Sequence, residues 1–245
     1  LTAVTISYIK ATDVQLTDQI TVEVIDSNFS DARVCQAART STAGAHASEE
    51  EGYGLINALM RGRHGTPFEH MNVTFRVTGP LFMWREHHRH RAGWSYNEES
   101  GRYKVLEPVF YTAGQGRPLA KVEGSKNMDY DLAPGSFEQH RLMTELDIEE
   151  CTYLYNNYLR KLDAGIVREM ARKNLPLSIM STCVVTCNAR SLMHFLSLRQ
   201  RHDDAAFPSK PQLEINLVAD GYERLLQELA PLTHRAYINN RRVAP

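Results

Sequence analysis

The chain has 245 residues, 42% of them hydrophobic, and a formal net charge of -1 at neutral pH. That length allows one large domain or two small ones. The near-neutral charge gives no general affinity for polyanions, and no apolar run approaches the length of a membrane span. The four cysteines, Cys35, Cys151, Cys183 and Cys187, have no disulfide spacing. Read as buried free thiols, they point to the cytoplasm. Cys183 and Cys187 sit four apart and could be half of a metal site, but no second pair follows.

Residues 3–9 and 19–25 alternate apolar and polar as strands do, with Ile20, Val22 and Val24 on one face. Leu1 to Lys10 lacks the charged, apolar, small order of a signal peptide, and the missing initial Met suggests a trimmed start. Asp31 is placed to cap a short helix through Cys35 and Ala38, which Arg39-Thr40-Ser41-Thr42 ends as a polar corner. Ser48 to Glu51 has capping-box spacing, and the helix that follows turns Ile56, Leu59 and Met60 inward before Gly62.

In Arg63-His64-Gly65-Thr66-Pro67-Phe68-Glu69-His70, Gly65 and Pro67 enforce a turn that crowds His64, Thr66, Glu69 and His70 together. Two histidines and a carboxylate are metal-ligand types, but they flank a proline turn without helical pairing. A turn with a capped carboxylate explains Glu69 and His70 about as well as a functional role. Val73, Phe75 and Val77 then mark a half-buried strand over 71–78. Pro80 starts a helix with Phe82, Met83, Trp84 and His87 on its apolar side. Its end delivers Glu86, His87, His88 and Arg89. Neighbouring helical positions diverge by about 100°, so His87, His88 and His90 do not converge on a metal.

The most polar stretch follows: Arg89-His90-Arg91-Ala92-Gly93-Trp94-Ser95-Tyr96-Asn97-Glu98-Glu99-Ser100-Gly101-Arg102-Tyr103. Arginine forks grip phosphates two bonds at a time. Ser100-Gly101 offers a hydroxyl and an unshielded N–H. Asn97 and Glu98 can read the amide edge of a heterocycle. Together they suit a phosphorylated heterocycle, although composition alone fits a solvated basic turn.

Beyond Tyr103 the chain reads as loop and extended segments to about Pro134. Neither Gly114-Gln115-Gly116 nor Gly124-Ser125-Lys126 fits a P-loop, and no Gly-x-Gly-x-x-Gly follows a strand. Ser136 to Gln139 is a second capping box, opening a helix to about Leu162 with Leu142, Leu146, Cys151, Leu154, Tyr158 and Leu162 at near-helical intervals; Gly165 breaks it. Arg168 and Arg172 share the face of a helix that Pro176 ends, a reading equally open to a basic solvated face. Ile179 to Thr186 reads as a buried strand, and Asn188 caps a helix with Leu192, Phe195 and Leu196 inward. Asn188 and Arg199 lie about three turns apart, on nearly the same side. Closing helices run over 212–229 and 231–239, and the tail from Arg241 is loose.

Arg89-His90-Arg91 followed by Asn97-Glu98-Glu99-Ser100-Gly101-Arg102-Tyr103 resembles the signature of the flavin-dependent thymidylate synthases. The spacer from Ala92 to Glu99 is one residue longer than is typical of that family, with the extra residue near Gly93-Trp94. His64-Gly65-Thr66-Pro67-Phe68-Glu69-His70, Arg168-Glu169-Met170-Ala171-Arg172 with Leu175-Pro176, and Asn188-Ala189-Arg190-Ser191-Leu192 with Phe195 and Arg199 resemble further family segments in the family's order.

The resemblance implies a single α+β catalytic domain over residues 1–245, with a mixed or antiparallel sheet and several long helices. It implies a homotetramer with FAD sites between subunits. The implied reaction is reductive methylation of dUMP to dTMP, with carbon from methylenetetrahydrofolate and hydride from FAD reduced by NADPH. It assigns dUMP to Glu86, His87, His88, Arg89, Glu98, Glu99, Ser100, Gly101, Arg102, Arg172 and Arg199. Arg199 would activate the pyrimidine, and Arg172 would reach into a neighbouring subunit's pocket. FAD falls to Thr66, Arg89, His90, Arg91, Glu98, Asn188, Arg190 and His194, with Glu69-His70 bracing the loop. No metal and no membrane are expected. The alternative from another class is a single-stranded nucleic-acid-binding module in which Trp94 and Tyr96 stack on bases between the cations of Arg89–Tyr103. The near-neutral charge stands against it.

Overall fold

The computed structural model describes residues 9–41, 49–126 and 131–245. In chain order the elements are β1 (Gln15–Thr17), β2 (Thr21–Ser27), α1 (Asp31–Arg39), α2 (Glu49–Arg61), α3 (Thr66–Glu69), β3 (Asn72–Pro80), α4 (Leu81–His87), β4 (Trp94–Glu98), β5 (Val109–Tyr111), β6 (Ala120–Lys121), β7 (Leu132–Ala133), α5 (Phe137–Asp163), α6 (Arg168–Ala171), β8 (Met180–Asn188), α7 (Ala189–Arg199), α8 (Leu213–Leu229) and α9 (Pro231–Asn239). This is the α+β class. Among the described residues no helix is long and apolar enough to cross a membrane.

The chain folds into two units. The second comprises Ile20–Thr78, Arg85–Asn97 and Thr182–Pro245. Most of the four-stranded sheet, in order β2–β3–β8–β4, belongs to it. β3 buries Val73, Phe75 and Val77 while Asn72 and Arg76 face out, the alternation its sequence dictates. Thr74 and Thr78 meet Thr186 and Thr182 hydroxyl to hydroxyl at 2.9 and 2.8 Å; four steps up β3 are four steps back along β8, as antiparallel neighbours require. β2 is an edge strand whose register shifts between Val24 and Asp26. That irregularity leaves Val24 and Ile25 exposed, contrary to the single apolar face expected of Ile20, Val22 and Val24. The core joins Phe75, Phe195, Tyr222 and Trp94, with ring centroids 4.3 to 5.9 Å apart in the pairs that touch. Truncating a core ring such as Phe195 costs about 3–5 kcal/mol.

Two local expectations change in this unit. Ser30, not Asp31, caps α1 by accepting from the Arg33 amide. The Asp31 carboxylate instead accepts from the Leu232 and Thr233 amides, both at 2.8 Å, and from the Thr233 hydroxyl. It therefore caps α9, roughly two hundred residues away in the sequence. The tail is also tied down: Arg242 Nη1 donates to Glu223 at 2.8 Å, and Arg63 Nη1 donates to the carbonyls of Val243 and Ala244. The strand expected over 3–9 lies, except for Ile9, outside the described residues, as does Ser48 of the first capping box.

The first unit comprises the residues up to Gln19, Gly79–Trp84 and Glu98–Ser181. β1 pairs parallel with β5 and β6 pairs antiparallel with β7. The second capping box forms as its sequence specifies, with Ser136 accepting from the Gln139 amide and Gln139 from the Ser136 amide. Gly165, at φ +75°, ends α5: its amide donates to Leu162 and that of Ile166 to Lys161. The core is Phe110, Cys151, Tyr155, Tyr158, Leu159, Ala171 and Ile179. Leu142 and Leu146, at near-helical intervals from Cys151, are 54% and 44% exposed, because they lie on the face of α5 opposite Cys151, Tyr155 and Tyr158.

Candidate functional site

Arg199 is set by the helix that carries it. Asn188 caps α7 by accepting from the Ser191 amide at 2.8 Å. Leu192, Met193, Phe195 and Leu196 anchor its inner face, so the helix cannot rotate. Arg199 Nη1 pairs with the Glu86 carboxylate at 2.5 Å and Nε donates to His90 Nε2 at 3.0 Å. A guanidinium only donates, so His90 Nε2 holds a lone pair and the ring is neutral. Burial, and then the Arg199 charge, push the His90 pKa down to about 4. Nη2 has no partner among the described residues, which leaves one edge of the fork for a ligand. Asp203, four residues on from Arg199, lies beside Arg201 instead.

His87 is fully buried, with Nδ1 3.1 Å from the Tyr96 hydroxyl and Nε2 2.8 Å from that of Tyr222. Tyr96 has one proton and a carbonyl partner, His90, at 2.7 Å. Its oxygen therefore accepts from His87 Nδ1–H, and Tyr222 donates to Nε2. Burial holds the His87 pKa well below its ordinary value. The ring of His87, expected among the substrate contacts, is placed as a core strut under the turn that presents His90. His88 is half-buried against the Tyr96 ring, at 4.8 Å. The same packing answers the nucleic-acid reading. Trp94 is buried and Tyr96 is tied by its hydroxyl, so neither presents a face to a base. The stretch expected as a loop is in part a strand, β4.

Around the first turn of α7, backbone and side chains approach closely. Gly93 turns at φ +72°, and a Cβ there would overlap the Ser191 hydroxyl. That hydroxyl donates to the Ala92 carbonyl at 2.9 Å. Gly65 gives the same clearance to the Arg190 guanidinium, whose Nη1 pairs with Glu69 at 2.6 Å and whose Nε donates to the main-chain oxygen of Pro245. Thr66 opens α3 beside them. Arg89, Arg91 and His194 are exposed, and the side chains of the two arginines have no hydrogen-bond or ion-pair partner among the described residues. This corner has the donor-rich character that an anionic dinucleotide needs.

In the first unit the remaining residues gather separately. A Cβ on Gly101 would lie 3.0 Å from Arg172 Cδ and from Leu106 Cδ1, so the stem of Arg172 lies across Gly101. The Ser100 carbonyl accepts from the Tyr103 and Lys104 amides, and its hydroxyl accepts from the Arg102 amide at 3.3 Å. Arg102 pairs with Glu169 at 3.3 Å and Glu99 with Lys104 at 2.6 Å. Ser100, Gly101, Arg102 and Arg172 thus gather within the one chain. The helix expected to carry Arg168 and Arg172 on one face tightens to a 3-10 turn at Arg172. Glu98 accepts from the buried Ser181 hydroxyl at 2.6 Å. Ser181 escaped the sequence reading, although it is an inward polar position in a strand that otherwise buries Cys183, Val185 and Cys187.

Residues 23–232 match the family described as thymidylate synthase complementing protein. The chain is 46% identical over 238 residues to the flavin-dependent thymidylate synthase of Streptomyces coelicolor, covering 95% of this chain and 96% of that one. It is 46% identical over 232 residues to the enzyme of that name from Tropheryma whipplei, covering 93% and 95%. Its fold aligns with the UMP/dUMP methylase PolB from Streptomyces cacaoi bound with 5-Br UMP, with a TM-score of 0.88 and 43% identity over 95% of this chain and 99% of that one. PolB bound with 5-Br dUMP aligns with a TM-score of 0.88 at 42% identity.

Proposed function

The chain belongs to the flavin-dependent thymidylate synthase family, and from that premise we propose that this methyltransferase converts dUMP to dTMP, with methylenetetrahydrofolate as carbon donor and NADPH as reductant. FAD, when bound, supplies the hydride. The chain's own residues bind, orient and stabilise charge. Arg199 holds the uracil and faces the negative charge that develops on its N3–C4–O4 edge, with Glu86 beside it. Ser100, Gly101, Arg102 and Arg172 hold the phosphate, with Glu98, Glu99 and His88 around the nucleotide. Thr66, Arg89, His90, Arg91, Asn188, Arg190 and His194 hold the flavin. Residues 1–245 then act as one catalytic domain, because both residue sets serve one reaction. The protein assembles as a homotetramer with sites shared between subunits, and works in the cytoplasm.

The observation that carries this reading is the Arg199 fork, fixed on two edges by Glu86 and His90 with a third edge unspent. The four cysteines are buried, and burial raises the thiol pKa of Cys35, Cys187 and, to about 11, Cys151. That argues against a thiolate nucleophile. The test is a fluorescence titration with FAD, followed by a dUMP methylation assay. A flavin absorbance spectrum and dTMP formation are expected; protein that takes up no added FAD would sink the reading.

A further inference from the structure

α7 ends at Arg199, and the last turn of a helix is where backbone hydrogen bonds fray. A side chain that must be held still is badly placed there unless something secures the helix end. Gln200 does so. It is 6% exposed, its backbone is extended at φ -125° and ψ 137°, and its amide N–H closes α7 on Leu196. The side-chain nitrogen donates to Asp220 at 2.8 Å and Glu223 at 2.5 Å, and the side-chain oxygen accepts from Arg242 Nη1 at 3.2 Å. Its carbonyl accepts from the Ser209 hydroxyl at 3.1 Å.

Glu223 is the hub. It is bonded to Arg242 at 2.8 Å and to His234 at 2.9 Å. Burial alone would push its pKa up, but the hydrogen bond from His234 and the Arg242 charge outweigh this and hold it at about 2. The hub is therefore charged throughout the working range, and bonds to charged partners are the stronger kind. Gln200 is thus clamped by α8 and by the segment after α9, next to the residue whose direction matters most. One step of helical rotation would swing the Arg199 side chain by about 100°, away from Glu86 and His90.

We infer that Gln200, Glu223 and Arg242 are positioning residues for Arg199, a clamp that fixes where α7 ends and hence where the guanidinium points. This rests on the reading that Arg199 holds the pyrimidine. The test compares Gln200→Leu, Arg199→Ala and the double variant with the parent protein. The readings are FAD affinity by fluorescence, dUMP affinity by calorimetry on the FAD-loaded enzyme, and thermal melting.

Gln200→Leu should keep FAD affinity and weaken dUMP binding roughly tenfold, within the range of coupled neighbours. The double variant should bind dUMP no worse than Arg199→Ala alone. Unchanged dUMP affinity in Gln200→Leu, or losses that simply add in the double variant, would overturn the inference and leave the clamp a purely structural one. If Arg199→Ala itself binds dUMP normally, the reading of Arg199 fails, and this inference with it. Should Gln200→Leu not fold, Arg242→Lys alters the clamp from its other side, and the same readings decide.

Discussion

Two of the three nitrogens of the Arg199 guanidinium are spent before any ligand arrives, Nη1 on Glu86 and Nε on His90. A donor fixed in this way needs no reorganisation when charge develops opposite it, and such donors contribute roughly 3–4 kcal/mol, about a hundred- to a thousandfold in rate. Arg199→Ala should therefore lose dUMP binding and methylation yet keep FAD. Arg199→Lys should rescue poorly, since one ammonium cannot serve Glu86, His90 and a uracil edge together. Steady-state dTMP formation with dUMP titration and a check of flavin content measures both. His90 makes a separate prediction about pH. Its folded pKa of about 4 lies below its ordinary 6.5, so between those values the unfolded chain binds more protons. The stability this group contributes is complete above pH 6.5 and is lost as pH falls towards 4. Thermal melts across that window should fall on acidification, and His90→Asn, which keeps an acceptor for Arg199, should flatten part of the slope; His87, depressed in the same direction, supplies the rest.

At the scale of elements, the signature stretch is a turn and a strand braced on the head of α7. Gly93 makes that possible, with a positive φ and no room for a Cβ beside Ser191 and Asn188. Gly93→Ala should cost about 1–3 kcal/mol for the left-handed backbone alone, with more from the overlap. Chemical denaturation should show the loss, and flavin affinity should fall with it because Arg89, His90 and Arg91 leave the same turn. The helix caps divide instructively. Ser136 and Asn188 were legible because each bonds within its own next turn. Asp31 was not, because its partners Leu232 and Thr233 are distant in sequence and carry no local sign of it.

At the scale of the molecule, the face of α5 turned away from its core presents Leu142, Leu146 and Tyr153 at helical spacing, 54%, 44% and 67% exposed. A stripe of that kind asks for cover, and self-assembly into the homotetramer proposed above would supply it. Light scattering should report four copies. Leu146→Asp with Tyr153→Asp should lower that mass while leaving the packed face of the helix, around Tyr155 and Tyr158, intact. An unchanged tetramer would put the interface elsewhere.

The helix bounds near Ser136, Asn188 and Pro231 and the residue types of the signature followed from the sequence alone, and the α+β class from the family resemblance that the signature carries. Caps, breakers and hydrophobic period are local physics, written within a few residues of where they act. The tertiary structure decided the rest: that Glu86 and His90 take hold of Arg199, that His87 is core while His90 faces the fork, that Arg172 lies across Gly101, and that Gln200 is clamped by Glu223 and Arg242. Each of these joins groups from separate segments, and a long-range contact leaves no mark on either residue's neighbours in the chain.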